Sequence, residues 1–260
     1  MIGSEFSIFR NFCLPVSGTT VEDHRHELPT ILWLWVPIGF FVLRYAISVF
    51  THKREGLESW FLGELGLIEN LTVLFLVMSA LLTIFLIRRY RKILHLTPKL
   101  FLVVYCIGCI YFAGEEASWG QHWFGWGTGE YFSAINDQGE TNLHNTSIFL
   151  DRVPKALVSL SIFIGGVFAP IYFRRKALVI DCRKPMWWLF PTWICLPTAL
   201  FATMATWPSK VERFTGWTFY FDQAQEMKEI YIAYFFLLFI VSLARRLQHY
   251  RATGIEFSRS

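Results

Sequence analysis

Residues 112–145 read FAGEEASWGQHWFGWGTGEYFSAINDQGETNLHN. The stretch begins as the end of an apolar run long enough to enter a bilayer, and it brings Glu115 and Glu116 to the point where that run meets the membrane surface. A loop follows that is rich in tryptophan and in amide, carboxylate and imidazole side chains. Ionisable groups at membrane depth are costly and are usually kept for a function. The stretch therefore predicts a polytopic membrane protein with one polar site at one end of its helices.

The composition agrees with this class. Of 260 residues, 54% are hydrophobic and only 17% are charged, and the mean hydropathy is +0.39. A soluble domain would carry about 25% charged residues. A membrane span needs roughly 20 predominantly apolar residues, and six segments qualify: Ile31–Phe50, Trp60–Ile87, Lys99–Trp119, Pro154–Phe173, Pro185–Trp207 and Glu226–Ala244. The prediction is an all-α bundle of about six transmembrane helices over residues 31–247.

The basic residues choose the orientation of this bundle. Cytoplasmic segments of membrane proteins carry an excess of Lys and Arg. With both termini inside, 16 of the 24 Lys and Arg residues fall in inner segments and 7 in outer ones. We therefore predict an N-in, C-in topology, with residues 1–30 as a cytoplasmic N-terminal segment and residues 248–260 as a cytoplasmic tail. Because orientation accounts for the basic segments, nothing in the sequence supports nucleic-acid binding.

Several carboxylates are predicted to reach the outer ends of the spans. Glu69 would lie about nine residues into the second span, or roughly 14 Å along it, where it could be an ion or substrate ligand or a protonated acid bonded to a neighbouring helix. Glu116 ends the third span and Glu226 begins the sixth. Neighbouring helical residues lie about 100° apart, so Glu115 and Glu116 are expected to point in different directions, one into the bundle and the other toward the loop.

The loop that follows adds a carboxylate and an imidazole. Glu140 and His144 are four residues apart and would share a face if this segment formed a helical turn. Such a pair suits a metal site, or a base with its orienting partner, although hydrogen bonds that fold the loop are an equal alternative. The candidate catalytic residues are Glu116, Glu140 and His144. The candidate ligands of a divalent metal such as zinc are Glu69, Glu116, Glu140, His144 and Glu226.

Tryptophans are concentrated in the outer segments. Aromatic side chains of this kind mark the membrane–water interface, so the segments that carry them are predicted to lie along the outer surface and to cover the polar site. The residues are Trp119, Trp123, Trp126, Trp207 and Trp217.

Three motifs carry a resemblance to a known group. They are G-E-E-A-S-W-G-Q at 114–121, N-D-Q-G-E-T-N-L-H-N at 136–145 and G-L-I-E-N-L-T at 66–72. With them the chain resembles a group of bacterial multi-span membrane proteins to which no activity is attached. The resemblance implies that the three segments form one unit and that the protein resides in the bacterial cytoplasmic (inner) membrane. A looser similarity is to membrane hydrolases of the alkaline ceramidase type, but those are histidine-rich, and this chain has only His122 and His144 near the proposed site.

Three functions compete on this evidence. The first is a metal-assisted hydrolase or transferase that acts on a membrane lipid at the outer leaflet. The second is an accessory or assembly subunit whose polar loop docks on a membrane-protein partner. The third is a proton- or cation-coupled transporter that uses Glu69 and Glu116. Carriers usually bind near the midplane and often show inverted repeats, and since no repeat is detectable here, the sequence favours the enzyme or the subunit.

Overall fold

The computed structural model describes residues 28–51, 61, 66–92, 94–136, 139–143, 146–175, 188–217 and 224–252. Within these ranges the secondary structure is helical and contains no strand, which confirms the all-α class. The helices, in chain order, are α1 (Val36–Thr51), α2 (Leu67–Arg89), α3 (Leu96–Glu116), α4 (Gln121–Phe124), α5 (Glu130–Ile135), α6 (Ile148–Ile162), α7 (Ala169–Arg175), α8 (Leu196–Met204), α9 (Trp207–Thr215) and α10 (Ala224–Ala252).

Two segments of wider π-helical winding join this framework. Ile31–Trp35 leads into α1, and Phe163–Phe168 joins α6 to α7 into one continuous helix. Gly166, in the second segment, sits where an added Cβ would come within 2.7 Å of the Ala199 Cβ and closer still to the Phe235 ring. The absence of a side chain at Gly166 therefore permits the closest approach of this helix to α8 and α10.

Four helices are long and apolar enough to cross a membrane. They are Leu67–Arg89, Leu96–Glu116, Phe149–Arg175 and Ala224–Gln248. In the most apolar stretch of Ala224–Gln248, 72% of the residues are buried inside the protein, against 28% to 39% in the other three. This helix is therefore the central one, and the architecture is that of a multi-pass membrane protein.

The fifth predicted span is shorter than expected, whereas the first is matched by the helix. At the first position, Ile31–Trp35 and α1 (Val36–Thr51) together cover the predicted span Ile31–Phe50. At the fifth, α8 has nine residues and so extends only about 14 Å. Extended backbone at Thr192 precedes this segment, and α8 begins at Leu196 with Pro197 in its first turn, where the missing N–H is tolerated. The count of six spans stays a prediction.

The second span begins later than its hydropathy indicates. Gly66 is extended, with φ −63° and ψ 167°, and α2 begins at Leu67 rather than at Trp60. Glu69 therefore lies in the first turn of α2 and not nine residues deep, which corrects the predicted depth. A carboxylate in a first helical turn is stabilised by the helix dipole.

Charge divides the two ends of the bundle. We call the acidic end the one at which α2, α6 and α10 begin and α3 finishes, because residues from all four helices line one cleft there. At the opposite, basic end, α2, α7 and α10 carry Arg88, Arg89, Arg174, Arg175, Arg245 and Arg246. The division has the sign expected of outer and inner faces, and the N-in, C-in topology stays a prediction.

Candidate functional site

Acidic side chains from separate helices meet at the acidic end. Glu116 lies within electrostatic range of Glu229, Lys155, Glu69 and Glu226. Arg44 in turn lies within range of Glu226. We call these six residues the Glu116 cluster. Helices α1, α2, α3, α6 and α10 each contribute at least one of them, so the cluster exists only in the assembled bundle.

Lys155 forms two ion pairs, one within α6 and one that joins α6 to α10. Its Nζ lies 3.0 Å from Asp151 Oδ1, one turn back on α6, and 3.2 Å from Glu229 Oε1 on α10. The side chain of Glu229 is 16% exposed and that of Asp151 is 38% exposed. The ammonium group therefore bridges a carboxylate near the surface and a more deeply placed one.

The inner side of the cluster contains a buried carboxylate oxygen and a buried guanidinium. Glu226 Oε2 is buried and accepts no hydrogen bond from any residue that the structure describes. Arg44 is only 1% exposed. A buried oxygen without a donor is costly when ionised, and Arg44 supplies positive charge nearby. Glu226 and Arg44 thus extend the group of charged residues inward, toward α1.

A narrow cleft opens onto the cluster. Its lining surface is mostly apolar and includes Phe112, and Glu116, Lys155, Lys228 and Glu229 also contribute to it. The volume open to the centres of water molecules is about 10 Å³, which is roughly the space that one water needs. In this conformation the cleft can admit water or a small ion, whereas a lipid headgroup would not fit.

The composition of the cluster limits its chemistry. Among the described residues, the cluster holds four carboxylates and two cations, Arg44 and Lys155, and a third cation, Lys228, lines the same cleft. Carboxylates that share a poorly hydrated space cannot all stay ionised unless protons, cations or buried water relieve their repulsion. The arrangement is therefore suited to taking up a positive charge.

Glu140 belongs to a second group, which folds the loop. Ser118 Oγ donates to Glu140 Oε2 at 2.7 Å, and Asn142 Nδ2 donates to the same oxygen and to Ser118 Oγ. The backbone N–H of Glu140 donates to Asn136 Oδ1 at 3.1 Å. We call Glu115, Ser118, Asn136, Glu140 and Asn142 the Glu140 network. All five residues are buried, and their bonds fasten the end of α3 to Asn136 and residues 139–143.

The two adjacent acids at the end of α3 point into different groups, as expected. Glu116 belongs to the Glu116 cluster, whereas both oxygens of Glu115 accept bonds from the loop. Trp119 Nε1 donates to Glu115 Oε1 at 2.9 Å, and the backbone N–H of Leu143 donates to Glu115 Oε2 at 2.8 Å. Glu115 thus ties the loop to the helix while Glu116 remains in the cleft.

An unusual backbone turn makes this division possible. Ser118, Trp119 and Gly120 have φ values of 44°, 55° and 102°, in the left-handed region that non-glycine residues seldom adopt. The turn folds the Trp119 indole back over Gly114, where an added Cβ would lie 2.8 Å from the ring. The motif G-E-E-A-S-W-G is therefore a structural unit in which Gly114, Glu115 and Trp119 fit one another.

The predicted site residues fall into three categories. Glu69, Glu116 and Glu226 come together in the Glu116 cluster. Glu140 lies in the Glu140 network, and residues 139–143 are not helical, so the helical turn expected to align Glu140 with His144 does not form there. His144 lies outside the described residues. In the part of the chain that the structure describes, no three His, Cys, Asp or Glu side chains are placed to hold one metal ion.

Three members of the site, Arg44, Lys155 and Glu229, were not among the candidate ligands. Arg44 carried a signal, since a lone arginine within an apolar span usually has a partner or a function. Lys155 and Glu229 lie beyond the first turn of their helices, but only the fold shows that they face each other. Charge within an apolar run was thus the signal that could have found them.

No family model, curated protein or solved structure matches this chain. The function is therefore inferred from the Glu116 cluster and the Glu140 network at the acidic end.

Proposed function

We propose that this multi-pass membrane protein takes up and releases a proton or a small cation at the Glu116 cluster, as part of proton- or cation-coupled transport. One observation carries the proposal: Glu116 and Glu229, from two different helices, share a cleft with room for about one water, and further carboxylates lie within electrostatic range. Carboxylates placed so close together can take up and release one proton or cation, so the arrangement suits such exchange. Residence in a bacterial inner membrane belongs to the same proposal.

The cluster offers less support to a lipid hydrolase or transferase. Such an enzyme needs a nucleophile or metal that a headgroup can reach. Ser118 is fully buried and bonded to Glu140, and the cleft beside Glu116 is too small for a headgroup. Glu140 also accepts bonds that close the loop. These contacts favour a structural role for the second group of acids.

The accessory-subunit hypothesis draws on a different observation. Aromatic side chains at the acidic end are strongly exposed, among them Phe124, Tyr131 and Trp217. The headgroup region of a bilayer accepts such side chains without a protein partner. Contact with membrane lipids therefore accounts for this surface, and a protein partner would be an addition to it.

Ion flux tests the proposal. The purified protein, reconstituted in liposomes that enclose a pH-sensitive or a sodium-sensitive dye, should dissipate an imposed proton or sodium gradient, respectively. Glu116→Gln keeps the size of the side chain but removes its exchangeable charge, so we expect flux to fall to the level of empty liposomes. Glu130→Gln changes an exposed acid on α5 and should leave the flux unchanged. Equal flux for wild type, Glu116→Gln and empty liposomes would overturn the proposal.

A further inference from the structure

The ammonium group of Lys155 has a position unlike that of an ordinary surface ion pair. We infer that Lys155 is a tethered counter-cation, which stands where an exchangeable cation would otherwise neutralise Glu229 and Glu116. The inference deepens the proposed function and rests on it for its physiological meaning. It assigns Lys155 the role of setting how readily the cluster takes up a proton or ion.

The geometry of the two ion pairs supports this role. Lys155 Nζ lies 3.2 Å from Glu229 Oε1 in the cleft and 3.0 Å from Asp151 Oδ1 nearer the surface. The lysine side chain is a compact charge on a flexible stem of four carbons. It can therefore remain bonded to Asp151 on its own helix while it leaves Glu229. Such a movement would uncover Glu229 without breaking α6.

The surrounding charges explain why the ammonium group matters. Glu116 from α3 lies within electrostatic range of Glu69 from α2 and of Glu226 and Glu229 from α10. On the positive side, Arg44 acts on Glu226 from α1, and Lys228 lies beside Glu229 on α10. Removal of Lys155 would leave Glu229 without the ion pair that it forms in the structure, although Lys228 remains within electrostatic range. Protons or solution cations would then have to replace the ammonium group of Lys155.

Lys228 provides a matched comparison. It lines the same cleft and lies within electrostatic range of Glu229 and Lys155. In contrast to Lys155, it forms no ion pair with the residues that the structure describes. Loss of either lysine changes the net charge equally, so only a positional role predicts different results.

Thermal unfolding in detergent tests this difference. Methionine approximates the lysine stem without its charge. For Lys155→Met we expect a melting temperature that rises, relative to wild type, by about 3 °C or more when the pH falls from about 8 to about 5, because protonation relieves the uncompensated repulsion. Added sodium at about pH 8 should give a rise that an equal concentration of choline does not. The melting temperature of Lys228→Met should respond to pH and to sodium as that of the wild type does.

The double variant Lys155→Met/Glu229→Gln removes both members of the pair. It should return the pH and sodium dependence to the wild-type pattern, since loss of the Glu229 charge offsets loss of the Lys155 charge and restores the net charge of the cluster. If Lys155→Met fails to fold, folding of the double variant would support the role, whereas failure of both would show that Lys155 is needed for packing and would overturn it. A wild-type response of Lys155→Met to pH and sodium would also overturn it.

The two proposals can fail separately. Absence of ion flux in the wild-type protein contradicts the proposed function but leaves the stability difference between Lys155→Met and Lys228→Met to be observed. Conversely, normal flux with indistinguishable melting behaviour would retain the function and remove the role of Lys155.

Discussion

At the scale of single residues, Gly114 shows how the end of α3 is built. The Trp119 ring lies over it, so closely that a Cβ at Gly114 would be 2.8 Å from the indole. The same indole donates to Glu115, and Ser118 and Trp119 adopt the left-handed conformation beside it. Because Gly114 has no side chain, the Trp119 indole can lie over it and bind Glu115, while Glu116 points into the cleft.

Gly114→Ala should be destabilising for this reason. Displacement of the indole costs about 1–3 kcal/mol by analogy with overpacked cores. Gly108 is a matched control on the same helix, because nothing lies within 4 Å of an added Cβ there. Gly108→Ala should be neutral or stabilising by about 0.5–1 kcal/mol, since alanine favours the helix. Chemical denaturation in mixed micelles measures both, and equal stability of the two variants would contradict the packing argument.

The same residues show what the sequence could predict about the site. Carboxylates in or beside apolar runs marked Glu69, Glu116 and Glu226, and 100° per residue predicted that Glu115 and Glu116 would diverge. The sequence could not assign Glu140, because a carboxylate that folds a loop and one that binds a cation have the same side chain. Lys155 and Glu229 were unpredictable as a pair because 74 positions separate them in the chain and only packing brings them together.

At the scale of helices, α10 repairs a defect in the segment before α1. Within Ile31–Trp35 the N–H of Val36 bonds to the carbonyl of Ile31, five residues back. The next bond of this kind would run from residue 37 to Leu32, but Pro37 has no N–H. The hydroxyl of Tyr234 donates to the Leu32 carbonyl at 2.8 Å and so takes the place of the missing donor.

Tyr234→Phe removes this donor and leaves a carbonyl without its partner. We expect a loss of about 1–3 kcal/mol, the usual cost of an unsatisfied buried polar group. Tyr131→Phe is the control, because Tyr131 is exposed and should tolerate the change. Thermal unfolding would measure the difference, and hydrogen exchange should show faster opening of residues 31–37 in Tyr234→Phe alone. Unchanged exchange in that segment would show that its carbonyl is satisfied in another way.

Helix boundaries illustrate a second limit of sequence-based prediction. Hydropathy located all four long helices, because an apolar run of about 20 residues needs no other information. It misplaced the start of α2, where Gly66 adopts an extended conformation. It also overestimated α8, which extended backbone at Thr192 precedes and which ends at Met204. Extended backbone at Gly66 and Thr192, which side-chain polarity does not reveal, precedes the two helices.

At the scale of the whole molecule, the chain must return across the bundle between α7 and α10. Trp188 packs with Leu86 and Leu247 at the basic end, while Lys210 lies within electrostatic range of Lys228 at the acidic end. The intervening backbone is partly extended and includes one turn of 3-10 helix. Thr192, Ile194, Cys195 and Ala199 are buried in this segment. Irregular backbone within a membrane needs such shielding by protein, so α8 and its flanks are suited to a fifth crossing.

This route makes a topological prediction. If residues 188–210 cross the membrane and the basic end is cytoplasmic, reporters fused after Arg91 and Lys176 should both behave as cytoplasmic, and one at Glu130 as external. The reason is the positive-inside rule, since α2 and α7 end in paired arginines whereas α3 ends in Glu115 and Glu116. Paired fusions of a reporter active only outside and one active only inside, at the same three positions, measure each side independently. An external result at Lys176 would contradict the N-in, C-in model. It would also place the Glu116 cluster on the cytoplasmic side, where its exchange of cations would have to be studied from the opposite face.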